Sequence, residues 1–332
     1  MDVRWQAFGR ESLAIYKSIQ SRTDISVRQQ GTIYLASDDE ELTLIEELQS
    51  INCDNDYSSE LLTAKQCQQR YPPLRSDYCG GGLFFPDEVS VNPRLMIHRL
   101  HESLSQQPGS SVHFNTCVCE LSAEGNAAVA RTTDGRSFVA GKAIVCSGSE
   151  FQTLYPALFA ASDLTAVKLQ MLRLAPQPSV SIQGNVLTGL AIRRYESFSQ
   201  CPSWRTIKAR EPSESFYKQW GVHILFKQDA DGSIILGDSH EYASASKVDD
   251  LSFDLRSDIN DYFIAEGRKI FDLPAWDIET AWAGVYCQTR HPTGVFTHTI
   301  DDSIHIVTGI GGKGMTSSAG FAKHNLSEIY ND

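Results

Sequence analysis

IHIVTGIGGKGMTSSAG, residues 304–320, predicts a strand, a glycine-rich turn and the first turns of a helix. Glycines at such a turn let backbone N–H groups approach an anion at the positive end of the helix. The dinucleotide-binding fingerprint has this form, but an acidic ribose ligand follows it after about 20 residues. Only residues 321–332 follow here. We therefore expect the loop to complete a site that residues elsewhere in the chain begin.

The composition is that of an ordinary globular protein, with 332 residues of which 41% are apolar and 21% charged. This length favours one large domain or two interleaved ones. A net charge of −12 and the lack of a basic run argue against nucleic acid as a partner. No apolar stretch approaches the roughly 20 residues that cross a bilayer, so no membrane association is expected. The eight cysteines form no CxxC pair and show no metal-ligand spacing, which favours a reducing cytoplasm and predicts no metal site.

Helices and strands alternate early in the chain, and strands dominate its middle. Asp-Gly pairs at 134–135 and 231–232 predict hairpin turns, and the second favours an antiparallel sheet over βαβ units. Within the strand-rich stretch 164–240, GLAIRRY (189–195) is predicted to be a strand. A helix is expected at about 255–271.

Four stretches together resemble the D-amino-acid oxidase-like flavoproteins, the family that contains glycine oxidase and sarcosine oxidase. KAIVCSGSEFQTLYP (142–156) is similar to the strand that ends at the flavin, and KLQMLRL (168–174) to the strand that begins the substrate sheet. AWAGVYCQT (281–289) resembles the tryptophan-alanine-glycine strand before the C-terminal segment, and GIGGKGMTSSAG (309–320) resembles the terminal flavin loop. In their order and spacing, these stretches extend the resemblance over essentially the whole chain.

Four shorter phrases narrow the resemblance to a subgroup encoded near phosphonate-catabolism genes. They are KLQMLR (168–173), RRYESFSQCPS (193–203), GDSHEY (237–242) and GGKGMT (311–316). The family's opening strand, its GxGxxG turn and its acidic ribose ligand are absent from this sequence. By this resemblance, Met1 corresponds to about the family's third or fourth element, and the unit that holds the FAD pyrophosphate is missing.

The resemblance implies a mixed fold, α+β or α/β, with two domains. An FAD-binding, Rossmann-like domain, discontinuous and N-terminally incomplete, would comprise residues 1–27, 96–160 and 291–332. A substrate-binding domain built on an antiparallel sheet would comprise residues 28–95 and 161–290.

The resemblance also implies which residues bind FAD. Val118 would lie near the adenine, and Ser147 and Gly148 near the pyrophosphate. The residues expected under the flavin ring are Gly309, Gly311, Gly312, Lys313, Gly314, Met315 and Thr316. Reduced flavin carries negative charge around N1 and O2, which a helix N-terminus stabilises, and glycine lacks the Cβ that would clash with the ring. The alternative is a glycine-rich turn that only caps a helix.

Candidate substrate residues follow from the same resemblance. Relatives often hold a carboxylate with an arginine where this chain has Tyr286, or with a lysine where it has Thr316. Neither position therefore offers a basic partner for a carboxylate. GDSHEY places His240 and Tyr242 at the end of a substrate-sheet strand, although a hydrogen-bonded structural histidine is an equal alternative for His240.

Two adjacent arginines, Arg193 and Arg194 of AIRRY, are the candidate anion ligands. Forked arginine hydrogen bonds suit phosphonate oxygens. Because neighbouring residues of a strand alternate between faces, at most one of the two should point inward. A solvated surface charge is the alternative for either of them.

The expected function is an FAD-dependent oxidoreductase that oxidises the C–N bond of a small amine by hydride transfer to the flavin. An aminophosphonate is the candidate substrate. No acid–base pair is evident, so no catalytic residue is assigned, and the electron acceptor stays open. Two alternatives remain: a truncated, non-catalytic remnant that no longer binds FAD, and an acidic binding module with an unrelated ligand.

Overall fold

Seventeen strands form four sheets in residues 3–330, the part of the chain that the computed structural model describes. The ends of the predicted FAD-binding domain, residues 1–2 and 331–332, lie outside the described residues. The strands are β1 (Arg28–Gln29), β2 (Thr32–Ala36), β3 (Glu60–Thr63), β4 (Gly81–Phe85), β5 (Val89–Ser90), β6 (Val118–Glu124), β7 (Ala127–Thr132), β8 (Ser137–Ala140), β9 (Ala143–Val145), β10 (Thr165–Leu174), β11 (Asn185–Leu187), β12 (Leu225–Gln228), β13 (Ile234–Gly237), β14 (Glu241–Ser244), β15 (Ile278–Gln288), β16 (Phe296–Ile300) and β17 (Ile304–Thr308).

Ten α-helices and three short 3-10 helices complete this part of the chain. The α-helices are α1 (Val3–Gln20), α2 (Asp39–Asp54), α3 (Ala64–Arg70), α4 (Pro93–Ser105), α5 (Pro156–Ala160), α6 (Gly189–Ile192), α7 (Trp204–Arg210), α8 (Phe216–Gln219), α9 (Ser257–Ile270) and α10 (Gly314–Tyr330). The 3-10 helices are Glu196–Gln200, Ala245–Leu251 and Gly311–Lys313. Among the helices described between residues 3 and 330, none has the length and apolar character that crossing a membrane requires.

The largest sheet has nine strands, and all its pairings are antiparallel except that of β2 with β11. Its order is β15-β10-β13-β12-β11-β2-β4-β3, and β14 lies beside the first half of β10 where β13 lies beside the second half. The hairpin predicted at 231–232 joins β12 to β13, with Gly232 at a φ of 86°. The antiparallel sheet expected from that turn is therefore confirmed.

One face of this sheet carries the main hydrophobic core. The helix expected at about 255–271 is confirmed as α9, whose Ile259 and Phe263 are fully buried. They pack in one cluster with Leu172 of β10 and Leu236 of β13. The core thus anchors β10, whose two edges pair with β14 and β15, the strands that carry Tyr242 and Tyr286.

A second sheet places β9 parallel to β17, which is antiparallel to β16. Ile304 and Ile306 of β17 are fully buried. Among residues 3–330, no strand is hydrogen-bonded to the second edge of β9. A third sheet, β6-β7-β8, contains the hairpin predicted at 134–135, which is confirmed. The division of the chain into two domains stays a prediction.

The first and last described helices, α1 and α10, cross at close range. The amide of Gly320 donates a hydrogen bond of 2.8 Å to the hydroxyl oxygen of Ser12. A Cβ added at Gly320 would lie only 2.4 Å from the carbonyl oxygen of Phe8. Glycine at this position therefore allows the two backbones to meet, which holds the glycine-rich end of α10 in place.

The strand predicted for GLAIRRY is wrong. Residues Gly189–Ile192 form the short helix α6, in which the amide of Arg193 donates to the carbonyl oxygen of Gly189 over 2.9 Å. A Cβ at Gly189 would lie 2.3 Å from the carboxylate of Glu41, so tertiary contact with a distant helix sets this turn. The alternation argument for Arg193 and Arg194 therefore does not apply, because they follow a helix.

Candidate functional site

The loop between β17 and α10 depends on glycine in two different ways. Gly309 has a φ of 77°, and a Cβ there would lie 2.7 Å from Leu164. Gly311 also has a positive φ, of 68°. At Gly312, by contrast, a Cβ would meet no atom within 4 Å. The first two glycines thus allow the chain to turn, whereas Gly312 leaves open space in front of the helix that begins at Gly314.

A second loop, after β9, lies against this one. The hydroxyl of Thr308 donates a hydrogen bond of 2.7 Å to the carbonyl oxygen of Gly148, and the thiol of Cys287 donates to the same oxygen over 3.1 Å. Gly148 has a φ of 62°, and a Cβ there would also meet open space. Ser147 precedes it and is half-buried. Because β9 and β17 are parallel, both loops leave the carboxyl edge of one sheet, where ligands bind in open α/β sheets.

The remaining predicted cofactor residues lie in different elements and differ in exposure to solvent. Val118 is half-buried at the start of β6, in the separate sheet of β6, β7 and β8. Lys313 holds its ammonium group 5.0 Å from the ring centroid of Trp5. Met315 and Thr316 are exposed in the first turn of α10.

Two predicted substrate residues occupy neighbouring positions across β10. Tyr242 of β14 and Tyr286 of β15 are both register partners of Val167, on opposite edges of that strand. Residues directly opposite one another in a sheet project from the same face. Burial raises the pKa of Tyr286 to about 12, so its hydroxyl keeps its proton near neutral pH. The sheet therefore presents two phenol groups on one face.

Arg194 and His240 join this pair. Arg194 donates a hydrogen bond of 3.2 Å to the hydroxyl oxygen of Tyr242. The ring of His240 stacks on that of Tyr242, with centroids 6.2 Å apart. Burial lowers the pKa of His240 to about 4, so this imidazole is neutral near pH 7. We call Arg194, His240, Tyr242 and Tyr286 the tyrosine cluster.

Arg193 does not take part in the tyrosine cluster. Its guanidinium donates hydrogen bonds to Asp38 over 2.6 Å, to Glu40 over 3.1 Å and to Glu41 over 2.8 Å. The side chain of Arg193 is 14% exposed and that of Glu41 only 4%. Arg193 therefore belongs to an ion-pair network that joins α6 to α2.

The loop between β17 and α10, called here the glycine loop, and the tyrosine cluster meet at one end of β15. Gln288, two residues after Tyr286 and on the same face, pairs with Ile310 through an isolated β-bridge. A Cβ at Gly311 would lie 3.3 Å from the Cβ of Gln288. The last residues of β15 therefore contribute Tyr286 to the tyrosine cluster and, through Gln288, contact the glycine loop.

Behind the cluster lie three residues for which the sequence analysis gave no role. Nδ1 of His223 is 2.9 Å from Oδ1 of Asp238, and its Nε2 is 2.9 Å from the hydroxyl of Tyr195. The signal that could have found them is the hairpin register. Since Leu225 pairs with Gly237, continuing the register brings His223 beside the segment that follows β13.

Comparison with known proteins gives the family. The model described as DAO, FAD dependent oxidoreductase, matches residues 2–325. The chain belongs to the DAO family. The D-amino acid dehydrogenase of Vibrio cholerae is 30% identical over 144 residues, which are 43% of this chain and 34% of that protein. The match thus spans only about a third of the length of that curated relative.

Solved structures support the DAO fold. The glycine oxidase of Geobacillus kaustophilus gives a TM-score of 0.71 at 14% identity, over 96% of this chain and 77% of the other. The L-α-glycerophosphate oxidase of Mycoplasma pneumoniae, solved with FAD bound, gives a TM-score of 0.73 at 15% identity. The match covers 98% of this chain and 79% of the oxidase. The mixed fold is therefore confirmed. The narrower resemblance to the phosphonate-associated subgroup stays a prediction.

The cofactor of the DAO family is FAD, and the loop residues fit its flavin end. The open space at Gly312 admits the planar ring without a Cβ clash, and the open space at Gly148 leaves room for the pyrophosphate that the resemblance implies there. The 17-residue helix α10 directs its N-terminus toward this loop, where a helix carries partial positive charge. Both features suit a ring that becomes negative on reduction.

Proposed function

We propose that this protein is an FAD-dependent oxidoreductase that oxidises the C–N bond of a small amine. The observation that carries the proposal is the arrangement around Gln288. The glycine loop and the tyrosine cluster lie at the same end of β15, so a ligand on the cluster would adjoin a flavin on the loop. A redox site needs such adjacency of cofactor and substrate.

The proposed chemistry divides between cofactor and protein. When bound, FAD supplies the acceptor for the hydride that leaves the carbon beside the amine nitrogen. The protein orients the amine and stabilises charge. The N-terminus of α10 would stabilise negative charge on the flavin side, while Arg194 and the two phenol groups would hold the substrate.

For the substrate, we propose an amine that carries a phosphonate group. Arg194 supplies the guanidinium group of the tyrosine cluster. The paired N–H donors of a guanidinium match the geometry of phosphonate oxygens. Tyr242 and Tyr286 add hydroxyl donors on the same face. Tyr286 and Thr316 stand where relatives carry basic groups for a carboxylate, so this cluster favours a different anion.

The test begins with the purified protein, expressed together with any residues that its gene encodes before residue 1, and added FAD. Stoichiometric FAD, seen as a visible flavin spectrum that survives gel filtration, is the first expected result. Anaerobic bleaching of that spectrum is then measured with 2-aminoethylphosphonate, its N-methyl derivative, sarcosine, glycine and glycerol 3-phosphate. Bleaching by an amine supports the proposal. Failure to retain FAD favours the non-catalytic remnant, and bleaching by glycerol 3-phosphate alone contradicts amine oxidation.

A further inference from the structure

His240 of the tyrosine cluster and two residues beside it, His223 and Asp238, bring metal-ligating atoms together. One atom from each of His223, Asp238 and His240 lies within 4.8 Å of the others. His223 precedes β12, and the other two lie between β13 and β14. The backbone fixes this arrangement, because the amide of His223 donates to the carbonyl oxygen of Asp238 over 3.1 Å and that of His240 to Trp220 over 2.7 Å.

Two of these atoms are buried without a hydrogen-bond partner. Nδ1 of His223 and Oδ1 of Asp238 are 2.9 Å apart, but the direction of the ring nitrogen misses the carboxylate oxygen, so neither atom has a partner within the described residues. His223 is only 3% exposed. Buried polar atoms in proteins nearly always have a partner, so two such atoms facing one another form a place that one shared partner would satisfy. A cation between them would satisfy both.

The other ring contacts are those that metal-binding histidines use. Nε2 of His223 lies 2.9 Å from the hydroxyl of Tyr195, and Nδ1 of His240 lies 3.0 Å from the carbonyl oxygen of Gly221. A ligating histidine commonly donates its second ring N–H to such an oxygen, which fixes the tautomer and the ring orientation. His223 therefore has Nε2 engaged by Tyr195 and Nδ1 facing Asp238, and Nδ1 of His240 lies 3.7 Å from the same carboxylate oxygen of Asp238.

We propose that His223, Asp238 and His240 bind one divalent transition-metal ion, and that Zn²⁺ is the ion best suited to them. Two imidazoles and one carboxylate form a donor set typical of Zn²⁺ with three protein ligands and one open position. Ca²⁺ and Mg²⁺ prefer sites made of oxygen ligands, which this cluster does not provide. The open position would take water or an anionic ligand.

The location gives the ion a role beside the proposed reaction. His240 stacks on Tyr242, so the ion would lie next to the tyrosine cluster and could hold an anionic group of the substrate. Anion binding at the ion rests on the proposed function. Binding of the ion itself does not, and it can be measured without FAD or substrate.

The experiment is a Zn²⁺ titration of the purified, chelator-treated protein against a chromogenic chelator, followed by metal analysis. We expect one tightly held Zn²⁺ per chain. Asp238→Asn and His223→Gln should weaken binding by more than about 100-fold, since loss of even an outer contact costs about 10–100-fold. Tyr195→Phe should weaken it by about 10-fold. His298→Ala, at an exposed histidine on β16, is the matched control and should bind like the wild type.

Replacing Zn²⁺ by Co²⁺ distinguishes a protein site from loose association. A four-coordinate Co²⁺ with nitrogen ligands gives intense visible bands, whereas a solvated six-coordinate ion gives weak ones. If Asp238→Asn or His223→Gln does not fold, the number of Zn²⁺ ions bound per wild-type chain and the Co²⁺ spectrum of the wild type decide whether the site exists. No saturable Zn²⁺ binding, a weak six-coordinate spectrum, or equal binding by wild type and Asp238→Asn would each overturn the proposal.

Discussion

Arg194 donates a hydrogen bond of 3.2 Å to the hydroxyl oxygen of Tyr242. Its neighbour Arg193 ends helix α6 and points into an acidic network instead. Consecutive residues at a helix end diverge by about 100°, since a helix has about 3.6 residues per turn. The two arginines therefore separate into one that stabilises the fold and one that is available to a ligand, and each can be tested alone.

Arg193→Ala should destabilise the protein by about 3 kcal/mol. The change removes the partner of Glu41, whose side chain is 4% exposed, and breaking a buried ion pair leaves one charge uncompensated. Urea unfolding followed by circular dichroism measures the loss. Arg205→Ala, at an exposed arginine of α7, should change stability by no more than about 0.5 kcal/mol. Equal stability of the two variants would show that the network contributes little.

Gly312→Val should abolish FAD retention without unfolding the protein. A side chain at this position enters open space in front of α10, and the backbone of Gly312 is not in the left-handed region that disfavours valine. Flavin absorbance per chain and circular dichroism measure the two effects separately. Gly141→Val is the control, because a side chain there also meets no atom within 4 Å but lies before β9, away from the loop. Normal flavin content in the Gly312→Val protein would place the cofactor elsewhere.

Gly320→Ala should lower stability by about 2 kcal/mol, because its Cβ would overlap the carbonyl oxygen of Phe8 at 2.4 Å. Gly9→Ala, on the facing helix α1, should instead be neutral or stabilising by up to about 1 kcal/mol. Its Cβ would meet nothing closer than 3.8 Å, and alanine favours a helix over glycine. Melting temperatures of both variants test the helix crossing. A loss in both, or in neither, would contradict it.

The elements that could be predicted from sequence are those set by local chemistry. The Asp-Gly pair at 231–232 specifies a tight turn between two apolar runs, and the hairpin forms there. The apolar periodicity of 255–271 predicts α9 to within two residues at its start. The strand predicted for GLAIRRY was wrong because a segment this short carries no decisive periodicity, and its close packing against Glu41, far away in sequence, is not visible locally.

The candidate site likewise combines a feature set by local sequence with one set by contacts between distant residues. Its glycine loop could be recognised because the glycines are contiguous and stand between a strand and a helix. Nothing local links His223 to Asp238, since strand register and not spacing brings them within 2.9 Å. Cysteine spacing carries no information on histidines that strand register brings together, so the expectation of no metal site stays a prediction that Zn²⁺ titration tests.

Arg194 should decide which amines the protein accepts as substrates. Arg194→Ala should weaken binding of 2-aminoethylphosphonate by roughly 10–100-fold, because a hydrogen bond to a charged group contributes about 1.5–3 kcal/mol. Propylamine, which lacks the anion, should be affected little. Glycine and sarcosine should be poorer substrates of the wild type, since a carboxylate offers two oxygens where a phosphonate offers three, which leaves one donor of the tyrosine cluster unpaired. Anaerobic flavin bleaching, measured over a range of amine concentrations, gives the dissociation constant of each amine and the rate constant of flavin reduction.

The ratio between the two amines isolates the role of the arginine. A general disturbance of the site would reduce bleaching by 2-aminoethylphosphonate and propylamine equally, whereas loss of an anion partner changes only the first. Arg205→Ala, already the stability control, should leave both unchanged. Equal losses for the two amines in Arg194→Ala would reject anion binding by Arg194. Fast bleaching by sarcosine with none by the phosphonates would reject the substrate class. It would leave the assignment of the flavin loop intact, because that loop contacts Gln288 of β15, whereas Arg194 follows helix α6.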